Sequence, residues 1–562
     1  MHSLTYLLST LAPLFLLNFA LAVPDISRFE VRSLPDGPSL RPSWAGRLPV
    51  PNTEQGNEIF FWLFKAENLK YDDNFLIWFN GGPGCSSLIG LTTGNGPISF
   101  DGNSTRLIAN PYSWSQFGHV LYVDQPVGTG YSTASQPYAA TTNDRVTSDF
   151  YAWLQSFFAH FPHLRAKQLH LMGESYAGIY VPYFASAIVA NQDAFPINLR
   201  SMSLGDGSFG NPAAMSAVSV GKFLQSQQSR LQIPDDIMAV FSEADDTCGF
   251  SDVMQEAARF PPQTTIYIPG DPENSDYKRR RRRRRRRDLG DIANATCNIN
   301  PTTPDAVRSS IMNSSCYGPC ATFSTAMDYL GTVSASGAGK PCYDVYDISH
   351  DCSTINSMSL LTSYFRRADV QAALHLSPGT DNNATVQFSP CNSTILDILI
   401  GLSTPTAPVY SILPSLVTSH NISLHVYAGQ YDMLLNHFGA ELALQNMTWR
   451  GAQGFSQPIT RPFFADNAAP RSPGGDPHPH PQTQTQTHPL PSSGSGSGTG
   501  SGTGARSRTR TCSCHPRGSP EAGRWVAERG VTYHLFWGAG HSVFASKPRE
   551  MFAYVRDVVV AD

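Results

Sequence analysis

Three residues of this chain have types and settings suited to nucleophilic catalysis. Ser175 stands in Gly173-Glu174-Ser175-Tyr176-Ala177-Gly178, after an apolar run (168–172, QLHLM) and before the helix-like YAGIYVPYFASAIVA. A serine on such a sharp strand-to-helix turn has its hydroxyl presented at the helix N-terminus, and small neighbours let the turn close. The pattern is G-x-S-x-A rather than the strict G-x-S-x-G. A serine hydroxyl is a weak nucleophile near neutral pH and needs a base within hydrogen-bond reach. His541, in Gly538-Ala539-Gly540-His541 after the run 531–537 (VTYHLFW), is the candidate base. Asp432, just past ISLHVYAG in YAGQYDMLLN, is the candidate partner that fixes the imidazole. The chain order Ser, Asp, His is the one used by α/β-hydrolases.

The glycine-rich Asn80-Gly81-Gly82-Pro83-Gly84-Cys85 follows the run FLIWF and leaves backbone N–H groups free for an oxyanion. In the expected reaction Ser175 attacks a carbonyl, and His541 takes its proton and returns it to a leaving amine. Asp432 stabilises the imidazolium, while the N–H groups of Gly82 and Tyr176 meet the oxyanion. Loss of one such donor costs about 3–4 kcal/mol in comparable hydrolases.

These residues must be positioned by a sheet. The runs 75–79, 119–123, 168–172, 199–204, 422–427 and 531–537 are short, apolar and β-rich. Between them lies helix-like sequence, notably Asp144–Phe161, where Val146, Phe150, Trp153, Leu154 and Phe157 share a face. Alternating strands and helices predict an α/β fold with a central, mostly parallel sheet and active loops at its carboxyl edge. Residues 210 to about 370 lack that alternation and are too long for a loop, so a cysteine-containing cap inserted into a catalytic domain of 23–562 is expected. Residues 466–520 are rich in Pro, His, Gln, Thr, Gly and Ser and cannot bury enough apolar surface to order. An unremoved intron would encode a similar stretch. The HPHP and CSC elements there are read as incidental; no metal ligand set and no cofactor is expected.

With these motifs in hand, the chain resembles the serine carboxypeptidase family, particularly its fungal members. The matching segments are NGGPGCSS (80–87), NPYSW (110–114), LYVDQPVGTGYS (121–132), GESYAGIYVP (173–182), GDGSFGN (205–211), YAGQYD (427–432) and GAGH (538–541), in family order. The resemblance implies an α/β-hydrolase fold and release of single residues from peptide C-termini. It also implies that Asn80, the Gly81 N–H and Glu174 bind the terminal carboxylate. An ionised Glu174 would repel that group and a protonated one would donate to it, so activity favoured at acidic pH is expected. The resemblance further implies a disulfide between Cys85 and Cys391. Cys248, Cys297, Cys316, Cys320, Cys342 and Cys352 allow fifteen pairings, and Cys512 and Cys514 fall in the low-complexity insert.

The chain departs from the family at three positions. Gly94 stands where members usually carry a second glutamate bonded to the first. Leu435 stands where some carry a free cysteine, so sensitivity to mercurials is not expected there. Ser542 replaces a methionine or glutamate after the histidine. Two other functional classes share part of this sequence logic: a carboxypeptidase-like acyltransferase, and a secreted glycoprotein without activity.

The compartment is indicated by the amino terminus. Leu4 to Leu21 is apolar and ends in Ala20-Leu21-Ala22, a signal-peptide pattern with cleavage after Ala22. Eighteen residues could just span a bilayer, but Ser9, Thr10, Pro13 and Asn18 interrupt the run. Sequons at Asn103, Asn294, Asn313, Asn383, Asn392, Asn421 and Asn446 suggest glycosylation, and ten cysteines suit an oxidising lumen. A secreted or vacuolar protein without a membrane anchor in the mature chain is expected. The net charge of −4 conceals the nine-arginine run 279–287; the rest of the chain has 31 basic against 44 acidic residues. That balance argues against nucleic acid as a partner. The run reads as a solvated loop, with dibasic processing at Lys278-Arg279 as the other reading.

Overall fold

The computed structural model describes residues 25–135, 141–269, 271, 301–313, 318–332, 342–351, 357–376, 387–401, 406–465 and 520–561. The leader at 1–22, the arginine run and nearly all of the insert at 466–520 lie outside the described residues. So do the sequon residues Asn294 and Asn383, and Cys297, Cys316, Cys352, Cys512 and Cys514.

Among the described residues eleven strands form one sheet: β1 (Glu30–Ser33), β2 (Ser39–Pro49), β3 (Glu58–Phe64), β4 (Asn74–Phe79), β5 (His119–Asp124), β6 (Gln168–Glu174), β7 (Leu199–Gly205), β8 (Ser423–Gly429), β9 (Arg461–Phe463), β10 (Gly523–Glu528) and β11 (Val531–Phe536). Their spatial order is β1-β2-β3-β5-β4-β6-β7-β8-β11-β10-β9. The six strands from β5 to β11 in that order are parallel, and they are the six read from the apolar runs. Every residue of β4 and β5 is buried, which explains why their centres run continuously apolar: both faces are covered. The sheet continues on either side as antiparallel strands.

One face is covered by the helices Asn143–His160 and Ala177–Ala190. Thr142 caps the first, its side-chain oxygen accepting from Arg145 N at 3.2 Å. Val146, Phe150, Trp153, Leu154 and Phe157 are all buried in the core beneath it. The other face buries Trp78, Trp114, Tyr427 and Phe536 against Val543, Phe544 and Tyr554 of the C-terminal helices. Between β7 and β8 the chain forms helices including Val220–Leu231, Asp235–Cys248, Phe250–Ala257, Pro304–Asn313 and Thr322–Thr332. Phe223, Phe241, Val307 and Leu330 there form a separate apolar cluster that also holds Met433, the neighbour of Asp432. A disulfide joins Cys248 to Cys320 within this segment, and Cys342 is also disulfide-bonded. Among the described residues no helix is long and apolar enough to cross a membrane.

Candidate active site

Ser175 follows β6 directly, with φ of +64°, a left-handed conformation rare for a residue with a side chain and typical of strained functional turns. Its N–H donates to Gly205 O at 3.0 Å, and its carbonyl accepts from Gly178 N and Ser208 N. The turn closes because its neighbours are small. A Cβ on Gly173 would stand 2.5 Å from Ala177 Cβ, and one on Gly178 would stand 2.4 Å from Ser208 N. The G-x-S-x-A-G spacing is therefore a packing requirement of the turn.

His541 and Asp432 are brought together by β8 and β11, which are neighbours. The two loops beyond these strands are joined by hydrogen bonds from Gln430 N to Phe536 O and from Tyr431 N to Ala539 O. His541 Nδ1 lies 2.6 Å from Asp432 Oδ2, with both residues buried. Asp432 Oδ1 accepts from Leu435 N at 3.2 Å, so Leu435 contributes its backbone, whatever its side chain. Because Nδ1 donates to a carboxylate, Nε2 is the basic nitrogen of the neutral ring. Nε2 is buried and, among the described residues, makes no hydrogen bond to Ser175 or to any other group. Such bonds are often long in resting enzymes and tighten when substrate enters. Burial lowers the imidazolium pKa, but the Asp432 carboxylate outweighs it, and the net shift is upward.

The loop 80–87 lies directly against the turn. A Cβ on Gly81 would be 2.4 Å from Tyr176 N and 2.9 Å from Ser175 Cβ, so only glycine allows this approach. Gly82 has φ of +105°. Asp124 fixes the far end of the loop, accepting from Ser86 Oγ at 2.7 Å and Ser87 N at 2.9 Å. The Cys85–Cys391 disulfide is formed across 306 positions.

Glu174 is buried between these parts. Its Oε1 accepts from Asn80 Nδ2 at 3.2 Å and from Ser542 Oγ at 3.1 Å. The second bond ties the residue before Ser175 to the residue after His541, and so joins the two halves of the site. Asn80 Oδ1 accepts from Trp78 Nε1 and Gly90 N, which directs the amide nitrogen to Glu174. Glu174 Oε2 is buried and, among the described residues, unbonded. Burial pushes the Glu174 carboxyl up to about 7, against the opposing pull of His541 and Ser542. Gly94 has no room for a side chain, because its Cβ would meet Phe544 O at 2.6 Å. The Phe544 backbone closes off the space beside Gly94, and the Ser542 hydroxyl is one of the partners of Glu174.

Tyr346 escaped the sequence reading. It is half exposed, its ring meets the His541 ring edge-on at 5.2 Å, and its carbonyl accepts from His541 N at 2.7 Å. Nothing in DVYDISHD signals this, since the contact forms only when residues nearly two hundred positions apart meet. Of the sequon residues described with their side chains, Asn103 and Asn421 are exposed. Asn392 is partly buried and donates through Nδ2 to Gly128 O at 3.0 Å.

Buried ionisable groups give the fold a pH dependence. Burial raises Glu174 and Asp245 to about 7 and Asp124 to about 6. In these groups the folded state binds more protons than the unfolded state, so their stabilisation is complete near pH 4 and lost as pH rises through 6 to 7. Each fully buried carboxyl contributes about 3 kcal/mol over that range. Burial lowers His119 to about 4 and His534 to about 3. Their contribution has the opposite sign and disappears as pH falls from 6.5. Raised carboxyls outnumber lowered histidines, so the melting temperature is expected to peak at roughly pH 4–5 and fall on both sides. A thermal melt series from pH 3 to 8 that rises steadily to neutrality would contradict this balance.

The model of the serine carboxypeptidase family matches residues 36–470. A carboxypeptidase Y homolog of Arthroderma benhamiae is 41% identical over 543 residues, covering 96% of this chain and 95% of that protein. The carboxypeptidase sxa2 of Schizosaccharomyces pombe is 30% identical, over 78% of this chain and 80% of the relative. Among solved structures, a prohormone-processing carboxypeptidase of Saccharomyces cerevisiae superposes with a TM-score of 0.63 at 19% identity, covering 96% of this chain and 97% of its own; that likeness concerns the fold. With 41% identity over nearly its whole length and a family match across most of it, this chain belongs to the serine carboxypeptidase family.

Proposed function

We propose that this enzyme removes residues from peptide C-termini through an acyl-enzyme on Ser175. The observation that carries this reading is the environment of Glu174. A buried carboxyl with one bonded and one open oxygen stands one residue before the nucleophile. Protonated, it donates from Oε2 to the substrate's terminal carboxylate, and the Asn80 amide and Gly81 N–H add neutral donors. That anchor sets the scissile carbonyl one residue from the chain end, beside Ser175 Oγ. His541 Nε2 takes the hydroxyl proton as the C–O bond forms. The Gly82 and Tyr176 N–H groups receive the oxyanion, and Asp432 stabilises the imidazolium. The imidazolium then protonates the leaving amine, and water delivered through the same nitrogen releases the acyl group.

The productive form places one proton on Glu174 and none on His541 Nε2. Two coupled groups of this kind produce a bell-shaped pH profile whose limbs belong to the pair. Substitution Glu174→Gln leaves a permanent donor and removes a negative charge that helps raise the His541 pKa. The alkaline fall in kcat/KM is expected to flatten and the acid limb to move down. Hydrolysis of an N-blocked dipeptide and its C-terminal amide from pH 4 to 8 tests both claims. The free acid should be preferred in acid and lose its advantage near neutrality. Equal rates for acid and amide at every pH would defeat the assignment of Glu174.

The helical segment within 210–370 acts in this scheme as a cap over the site, with Tyr346 at its contact with His541. The leader and sequons support passage through the secretory route to the exterior or a vacuole. Asn103, exposed on a loop, is the best placed of the described acceptors.

A further inference from the structure

The motif GDGSFGN contains a carboxyl that the reaction above does not use. Asp206 directly follows β7, in a backbone conformation with φ of +41°, and only 1% of its surface is exposed. Its N–H donates to Tyr427 O on the neighbouring strand at 2.9 Å. Its two oxygens share one donor, Gly429 N, at 2.9 and 3.2 Å. Gly429 ends β8, three residues before Asp432, Asp432 is fully buried as well, and its charge is among those acting on the Asp206 carboxyl.

Two buried carboxyls that act on each other away from water are not both ionised, because burial and mutual repulsion both oppose the second charge. The division of charge between them follows from their partners. Asp432 has the imidazole on one oxygen and Leu435 N on the other, both favouring the anion. Among the described residues Asp206 has a single donor, Gly429 N, and the Glu174 carboxyl acts on it as a further acid. The proton therefore resides on Asp206.

We propose that Asp206 is a positioning residue for the relay, a neutral carboxylic acid that donates a hydrogen bond to the Asp432 carboxylate and so sets its orientation and basicity toward His541. The inference rests on the triad reading given above but concerns a residue that never touches substrate. The bond disperses the Asp432 charge. Without it, the carboxylate would hold the imidazolium more tightly and His541 would remain protonated to higher pH. A neutral donor therefore keeps the base free at acidic pH, where Glu174 is in its binding form.

The test uses Asp206→Ala and Asp206→Asn in the full chain, with circular dichroism to establish folding. Alanine removes the donor, whereas asparagine keeps one through its Nδ2 and still accepts from Gly429 N. The low-field His541 Nδ1 proton is followed by NMR as pH is varied, which reports the imidazole pKa whether or not the enzyme turns over. Hydrolysis of an N-blocked amino-acid ester gives kcat alongside. Asp206→Ala is expected to raise the imidazole pKa by about one unit and lower kcat about tenfold. Asp206→Asn should restore both. An alanine variant titrating like the parent, or an asparagine variant titrating like alanine, would overturn the proposal. Ester hydrolysis surviving in Ser175→Ala would instead count against the nucleophile and leave the titration result for Asp206 standing.

Discussion

Asp432→Asn is expected to lower kcat about 10⁴-fold with little change in KM or in folding. The reason lies in how the two oxygens of Asp432 are engaged. Oδ1 is committed to the backbone N–H of Leu435 and Oδ2 to the imidazole Nδ1. An asparagine must keep its carbonyl oxygen toward Leu435 N, which places its NH₂ against Nδ1. The ring then keeps its proton on Nε2, the nitrogen that has to accept from Ser175. Steady-state kinetics on a blocked dipeptide provide the measurement. A loss below about tenfold would mean that Asp432 does not set the tautomer.

The second large effect is expected at Gly81→Ala. The added methyl would lie 2.4 Å from Tyr176 N and 2.7 Å from Glu174 O, inside any tolerable contact. These are backbone atoms of the strained turn, so the loop 80–87 must retreat rather than the turn. Retreat takes the Gly82 N–H out of reach of the oxyanion, and loss of one such donor lowers kcat by about 10²–10³-fold. The loop remains tethered by Asp124 and by the disulfide to Cys391, so the fold and melting temperature should change little. A variant with near-parental kcat would show that the loop does not form the oxyanion site.

The parts of the molecule legible in the sequence are those governed by local rules. The six parallel strands are legible because burial on both faces makes the centres of β4 (FLIWF) and β5 (VLYV) continuously apolar. The placement of Ser175, Asp432 and His541 just past strand ends is legible because the fold imposes that order along the chain. The antiparallel flanks are not. Strand β2 (SLRPSWAGRLP) carries arginines, prolines and a glycine and has an exposed half, β9 has three residues, and β10 emerges just after the low-complexity insert. The roles of Ser542, Tyr346 and Asp206 depend on contacts across long stretches of chain, which no local pattern encodes. The Cys85–Cys391 pairing rests on family resemblance, while a Cys248–Cys320 bridge belongs to three of the fifteen arrangements of six cysteines, with nothing local to single it out.

The account depends on Ser175 being the group that His541 activates. Treating the folded protein with a fluorophosphonate and mapping the adduct by peptide mass spectrometry reads this directly. One adduct on Ser175 is predicted, formed rapidly in the parent and slowed by at least about 10³-fold in His541→Ala. An adduct on another residue, or equal labelling rates with and without the imidazole, would contradict it.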